Sequence, residues 1–240
     1  MEQVLGETWY KAPNNLRGQP DGQHDKGVKN LTLKLVRYIH VLGVILLSDL
    51  RILEEIRKGR IVIDPFDERN LGTNSYDVKL GNFFYFPNPT WNDVVFDPLS
   101  EKSVSGFWMP KHYDDGEQVT IEPRTTVLCH TREIIGGKDG ITAILRARSS
   151  VVRCGLSMIN GAGVGDVGYI NRWAFPLTNG NPCSTTVRVG MRIGQMLFYD
   201  VGSTQRPYAG KYVRQPTWDS KTILPRLWED REFAEHRRRS

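Results

Sequence analysis

Thr142-Ala143-Ile144-Leu145-Arg146-Ala147-Arg148-Ser149-Ser150-Val151-Val152-Arg153 changes character midway. Thr142 to Arg146 is a short run with β-branched residues between turn signals and reads as a strand. The residues after it set two hydroxyls beside a guanidinium. Arginine supplies a rigid fork of donors and serine adds hydroxyl and backbone donors, a combination that suits phosphate oxygens. Val151-Val152 reads as an apolar anchor, such as a helical turn whose first amides face the same anion. An ordinary basic loop has the same composition, so this stretch needs support from its surroundings.

Outward from it, the pattern is a series of short strands. Leu46-Leu47, Ile61 to Ile63, Ser75 to Leu80, Phe83 to Phe86, Val119 to Ile121 and Thr126 to His130 precede it, and Val187 to Val189 and Gln195 to Tyr199 follow. One helix interrupts the series early. Ser48 is a good N-cap, Leu50, Leu53 and Ile56 form a stripe over Asp49 to Lys58, and Gly59 ends it. The expectation is a mainly β fold, a distorted barrel or jelly-roll-like arrangement with a short N-terminal helix and a C-terminal helix. The chain divides into a poorly ordered extension over 1–43, a β domain over 44–218 and a charged tail over 219–240. Within the ends, Leu31 to Leu42 fits a short basic amphipathic helix and Leu224 to Ser240 a charged one.

Bulk properties set the outer limits. The chain has 240 residues, 39% hydrophobic and 25% charged, which supports a real core. A net charge of +5 suits an anionic partner without naming one. The longest apolar run, Ile39 to Leu47, is far short of the roughly 20 residues a membrane span needs. Cys129, Cys154 and Cys183 form no C-x-x-C pair, so neither a zinc site nor a disulfide framework is indicated, and a reducing, cytoplasmic location is expected. Lys and Arg are scattered rather than gathered in a stripe with aromatics, which disfavours nucleic acid as partner. A carbohydrate-binding jelly roll would use the tryptophans but leaves Arg148-Ser149-Ser150 without a role.

Two further segments carry chemistry. Gly161-Ala162-Gly163-Val164-Gly165-Asp166-Val167-Gly168-Tyr169 has four glycines in eight residues, allowing close approach of a ligand or simply a tight turn. Asp166 fits a carboxylate that orients water or a sugar hydroxyl, or one that caps a hairpin. Tyr169 offers a ring to stack on sugar or base. Arg206-Pro207-Tyr208-Ala209-Gly210-Lys211-Tyr212-Val213-Arg214-Gln215 mixes cations, aromatics and an amide, as a flap over an anionic aromatic ligand would, or a surface tail.

Together and in this order, the segments resemble the dCTP deaminase branch of the dCTP deaminase/dUTPase superfamily. Asn74-Ser75-Tyr76-Asp77-Val78-Lys79-Leu80-Gly81 resembles its S-Y-D-x-x-L-G strand. Arg148-Ser149-Ser150, Arg153 and Gly155-Leu156 match its R-S-S-x-x-R-x-G-L motif. Gly190 to Gln195 resembles its G-M-x-I-x-Q strand entry, and Arg206-Pro207-Tyr208 with Lys211 through Gln215 resembles its C-terminal clamp. The likeness covers roughly residues 45–218.

The resemblance implies a homotrimer with sites at subunit interfaces, holding a deoxypyrimidine triphosphate with Mg²⁺ on its phosphates and no zinc. It implies that Arg148, Ser149 and Ser150 hold phosphates and that Arg153 reaches the reacting base from a neighbouring subunit. The Ala162 backbone would position the water, Asp166 would contact deoxyribose, and Tyr169 would pack beside it. Tyr208, Lys211 and Gln215 would close over the nucleotide. The zinc deaminase signature H-x-E…P-C-x-x-C is missing here.

One position departs from the pattern. The family has a proton-shuttling Glu ten residues after the Asp, and here that position is Pro176. Proline cannot transfer a proton. Three activities therefore stay open: deamination of dCTP to dUTP and ammonia, cleavage of dUTP to dUMP and pyrophosphate by Asp166, and nucleotide binding without catalysis.

Overall fold

The computed structural model describes residues 44–92, 94–158, 163–212 and 220–230. The expected extension over 1–43, with its Leu31–Leu42 helix, therefore lies outside the described residues, as do Ala162 and Gln215.

In chain order, β1 (Ile45–Leu46) leads into α1 (Asp49–Arg57) and β2 (Ile61–Asp64). Next come β3 (Tyr76–Lys79), β4 (Phe83–Pro87), α2 (Glu101–Phe107), β5 (Trp108–His112), β6 (Gln118–Ile121) and β7 (Thr126–Gly137). The second half contains β8 (Ile141–Ala147), α3 (Ser149–Arg153), β9 (Leu156–Ser157), β10 (Val164–Gly165), β11 (Ile170–Asn179), β12 (Thr185–Arg188) and β13 (Arg192–Asp200).

The chain is mainly β, as its sequence predicts. Its strands form a five-stranded sheet (β1-β13-β8-β10, with β3 also on β13), a six-stranded sheet (β5-β4-β7-β11-β9, with β2 also on β7) and the pair β12-β6. All of these pairings are antiparallel. The expected barrel is corrected: among the described residues the sheets do not close. β1 and β10 at the ends of the first sheet have only two residues each, too few to carry the ladder around. Side chains of both large sheets meet in one core, including Val78, Leu145, Met196 and Phe198 of the first and Phe84, Val127, Ile135 and Phe175 of the second.

α1 starts at Ser48 and ends beside Gly59, whose φ of +71° suits glycine. The stripe is not the expected one. Leu50 is exposed, while Ile52 and Glu55 are buried. Glu55 is tolerated inside because Arg51, Lys58 and Arg60 all reach its carboxylate, which a hydrophobicity pattern cannot register. Of the C-terminal helix expected over Leu224–Ser240, residues 231–240 lie outside the described residues. The described part holds one 3₁₀ turn, Leu227–Glu229, after Pro225, which lacks an N–H and disfavours helix at Leu224.

Candidate nucleotide site

β8 is flanked by β13 and β10, and its two ends carry the two groups of expected site residues. Beyond its C-terminal end, Arg148 takes the N-cap position of α3, so the helical turn expected after the arginine is present. Val151 is buried under it, leaving Ser149, Ser150 and Arg153 exposed. Arg148 is tied to neighbouring strands by two contacts. Its Nε lies 3.3 Å from Oδ2 of Asp77 on β3, and its backbone N–H donates to the Ile193 carbonyl at 3.3 Å.

Asp77 belongs to this end of the site, and the sequence reading gave it no role. The same Oδ2 is 3.2 Å from Nη1 of Arg192. Gln195 pairs with Asp77 across β13 and β3, and its amide nitrogen lies 3.3 Å from the Ser75 hydroxyl. The signal available in the sequence was the Ser-Tyr-Asp order itself, an acidic residue inside a strand otherwise fully buried on its apolar side.

At the other end of β8, β10 pairs Gly165 with Ala143, and the Thr142 hydroxyl donates to the Gly165 carbonyl at 2.6 Å. Asp166 follows directly. Its main chain forms a tight turn in which the Tyr169 N–H donates to the Asp166 carbonyl at 2.9 Å. Its side chain is exposed and caps nothing among the described residues. Tyr169 stands edge-on to both Trp173 and Tyr208, with ring centroids 5.2 and 5.5 Å apart. Burial raises the Tyr169 phenol above its usual range, so it is neutral at all ordinary pH values.

The two later segments are stitched here. The Tyr208 N–H donates to the Val167 carbonyl at 2.8 Å. This approach needs Gly168, which has φ +99° and where a Cβ would sit 3.1 Å from that nitrogen. A cavity of about 650 Å³ results, lined by Thr142, Asp166, Arg206, Tyr208 and their neighbours, within the size range of small-molecule sites.

Lys211 is engaged within the chain itself. Its ammonium donates to the Arg226 carbonyl at 2.8 Å and to Asp230 at 2.6 Å. Arg226 in turn donates to the Lys211 carbonyl and stacks at 5.0 Å on the Tyr212 ring.

Pro176 lies in β11 opposite Leu128 of β7. The next pair on that side is Ala174 with His130. His130 is fully buried, with Nδ1 2.7 Å from the Thr131 carbonyl and Nε2 accepting from the Phe83 N–H at 3.3 Å. Its burial lowers the imidazole pKa to about 4, so it is a neutral core group.

These features define a mainly β chain whose expected nucleotide-site residues gather at the two ends of one strand, β8. Residues 46–201 match the family model described as dCTP deaminase-like, and the chain belongs to that family. A protein named "dCTP deaminase, dUMP-forming" from Methanosphaerula palustris is 27% identical over 190 residues, covering 79% of this chain and 100% of that protein. One of the same name from Methanoregula boonei is 32% identical over 187 residues, covering 78% and 100%. The crystal structure of 2'-deoxycytidine 5'-triphosphate deaminase from Agrobacterium tumefaciens aligns with a TM-score of 0.49 at 16% identity. That alignment covers 66% of this chain and 47% of the solved one, so this chain spans about half of that structure. No helix among the described residues is long and apolar enough to cross a membrane.

Proposed function

We propose that this protein binds a deoxypyrimidine nucleoside triphosphate at interfaces of a homotrimer. The observation that carries this reading is Arg148, held by Asp77 at the mouth of an exposed Ser149-Ser150 turn. A guanidinium already oriented by a carboxylate loses little freedom when it engages a phosphate. Ser149 and Ser150 complete the phosphate contacts, and Arg153 reaches the base. Asp166 and Tyr208 receive sugar and base in the cavity they line, with Tyr169 packed against Tyr208 and Lys211 and Gln215 closing from the clamp. Mg²⁺ bound through the triphosphate would offset part of its charge while Arg148, Ser149 and Ser150 hold the phosphate oxygens.

For the reaction, cleavage of dUTP to dUMP and pyrophosphate fits the side chains better than deamination of dCTP to dUTP. Deamination needs a group that takes a proton from water and delivers protons to N3 and the departing amine. Pro176 cannot do this, and its ionisable neighbour His130 has both ring nitrogens engaged. Cleavage needs one carboxylate to take a proton from water. The water oxygen then bonds to the α-phosphorus as the bond to the β-phosphate oxygen breaks. Asp166 is exposed in the cavity and available for that role. The relatives' names pair dCTP deaminase with dUMP formation, and the second part supports a product without the pyrophosphate.

The test incubates the protein with dCTP or dUTP and Mg²⁺ and resolves dUTP, dUMP, ammonia and pyrophosphate. Pyrophosphate from dUTP without ammonia from dCTP is the expected result. Ammonia from dCTP overturns the reading of Pro176, and a Tm unmoved by either nucleotide overturns binding itself.

A further inference from the structure

Arg192 is the first residue of β13, and strict alternation would set it on the same face as Gly194 and Met196. That face is the core. Met196 is fully buried, and a Cβ on Gly194 would meet Met158 at 2.8 Å and the Arg146 carbonyl at 3.0 Å. A bulge between Arg192 and Gly194 changes the outcome. It lets Ile193 and Gly194 both point inward and turns Arg192 to the opposite face, the one that carries Gln195 and Asp77. There its guanidinium shares one oxygen of Asp77 with Arg148. The Arg192 side chain is 47% exposed, so its remaining donors face solvent.

Charge makes this arrangement consequential. Asp77 and Arg148 together sum to zero, so that pair alone offers an arriving polyanion little attraction. Adding Arg192 makes the trio net positive while one carboxylate holds both forks in place. Arg146 shares the outer face, in register with Gln195, but no ion pair joins it to Asp77 among the described residues.

Resting on the nucleotide reading above, we propose that Arg192 is a second phosphate ligand beside Arg148, and that the pair selects nucleotides by the length of their phosphate chain. Arg148 with Ser149 and Ser150 engages one phosphate group. Arg192, one strand away, engages the next along the chain. A triphosphate uses both guanidinium groups, and a monophosphate uses one.

The test measures Kd by calorimetry for dUTP, dUDP and dUMP with Mg²⁺, with dUTP supplied as its α,β-imido analogue so that cleavage does not consume it, using wild type, Arg192→Gln, Arg192→Lys and Arg148→Gln. Arg192→Gln should weaken dUTP by about tenfold or more, as loss of a charge-assisted bond does, while changing dUMP by less than about twofold. Arg192→Lys keeps the charge without the fork, and its dUTP affinity should fall between; it also serves if Arg192→Gln folds poorly. Wild-type dUTP affinity in both Arg192 variants, with Arg148→Gln still weakened, overturns the role of Arg192 and leaves the nucleotide reading standing. Equal weakening of all three nucleotides overturns the chain-length selection. Absence of nucleotide binding in the wild type overturns both.

Discussion

Arg148 and Asp166 stand at opposite ends of one strand: Arg148 follows Ala147, the last residue of β8, while Asp166 lies beside Thr142 near its start. Six residues at about 3.3 Å each separate the two positions by roughly 20 Å. In the proposed homotrimer, a triphosphate held by Arg148 of one subunit would meet Asp166 of another, so that two half-sites on one chain would make whole sites between subunits.

Mixed oligomers test that geometry. Arg148→Gln and Asp166→Asn each should abolish dUTP cleavage alone. Refolded together in equal amounts, they should recover roughly a quarter of wild-type activity, because random assembly pairs an intact Arg148 with a neighbour's intact Asp166 in about one site in four. No recovery would place both residues in the same subunit's site.

Asp166→Asn should leave the fold intact, since the side chain is exposed and caps nothing among the described residues. Its Tm should match wild type within about 2 °C, the range expected of exposed substitutions that cost under about 0.5 kcal/mol. Nucleotide binding should persist in calorimetry while pyrophosphate release stops.

Asn179 should behave oppositely. Its buried amide nitrogen donates to the carbonyls of Ile121 and Cys183, both at 2.9 Å, and its oxygen accepts from the Asn181 N–H at 3.0 Å. Asn179→Leu leaves those groups without partners in the interior, and each costs about 1–3 kcal/mol. Urea denaturation should show a loss of several kcal/mol, with nucleotide contacts untouched.

Acid should weaken the protein through His130. Its folded pKa is about 4 against an ordinary 6.5, so the unfolded chain binds the proton more readily. Stability is then fully present above about pH 6.5 and lost as pH falls toward 4, by up to about 3 kcal/mol at 1.36 kcal/mol per pH unit. Glu133, whose pKa burial raises, works in the opposite direction. Comparing pH-dependent melts of wild type and His130→Gln cancels that contribution, and the variant should show the shallower acid decline.

Asp230→Asn should release Lys211 from its 2.6 Å ion pair. Asp230 is close to half exposed, so the pair is worth at most about 1 kcal/mol and the gain in dUTP affinity should be no more than about fivefold. A weaker affinity would show that the ion pair orients Lys211 for the nucleotide rather than withholding it.

Much of the fold was legible because its signals are local. Period-two runs marked most strands, Ser48 and Gly59 bounded α1, and Arg148-Ser149-Ser150 announced a helical turn after a strand. β11 went unread although it is ten residues long, because its glycine-rich approach and Pro176 look like loop. A proline is tolerated in a strand where no ladder bond is asked of its nitrogen. β5 and α2 were likewise missed, their aromatic residues lacking clear periodicity.

The sequence by itself determined the residue types of the site and their order along the chain. It also determined that position 176 carries no acid, since chemical identity needs no coordinates. Only the tertiary structure decided which of those residues meet. Register across β3, β13 and β8 put Asp77 between Arg148 and Arg192, residues more than forty positions apart in either comparison, and the β13 bulge turned Arg192 outward. Those relations depend on hydrogen-bonded pairing between distant strands, which a one-residue slip would reverse and which no local pattern encodes.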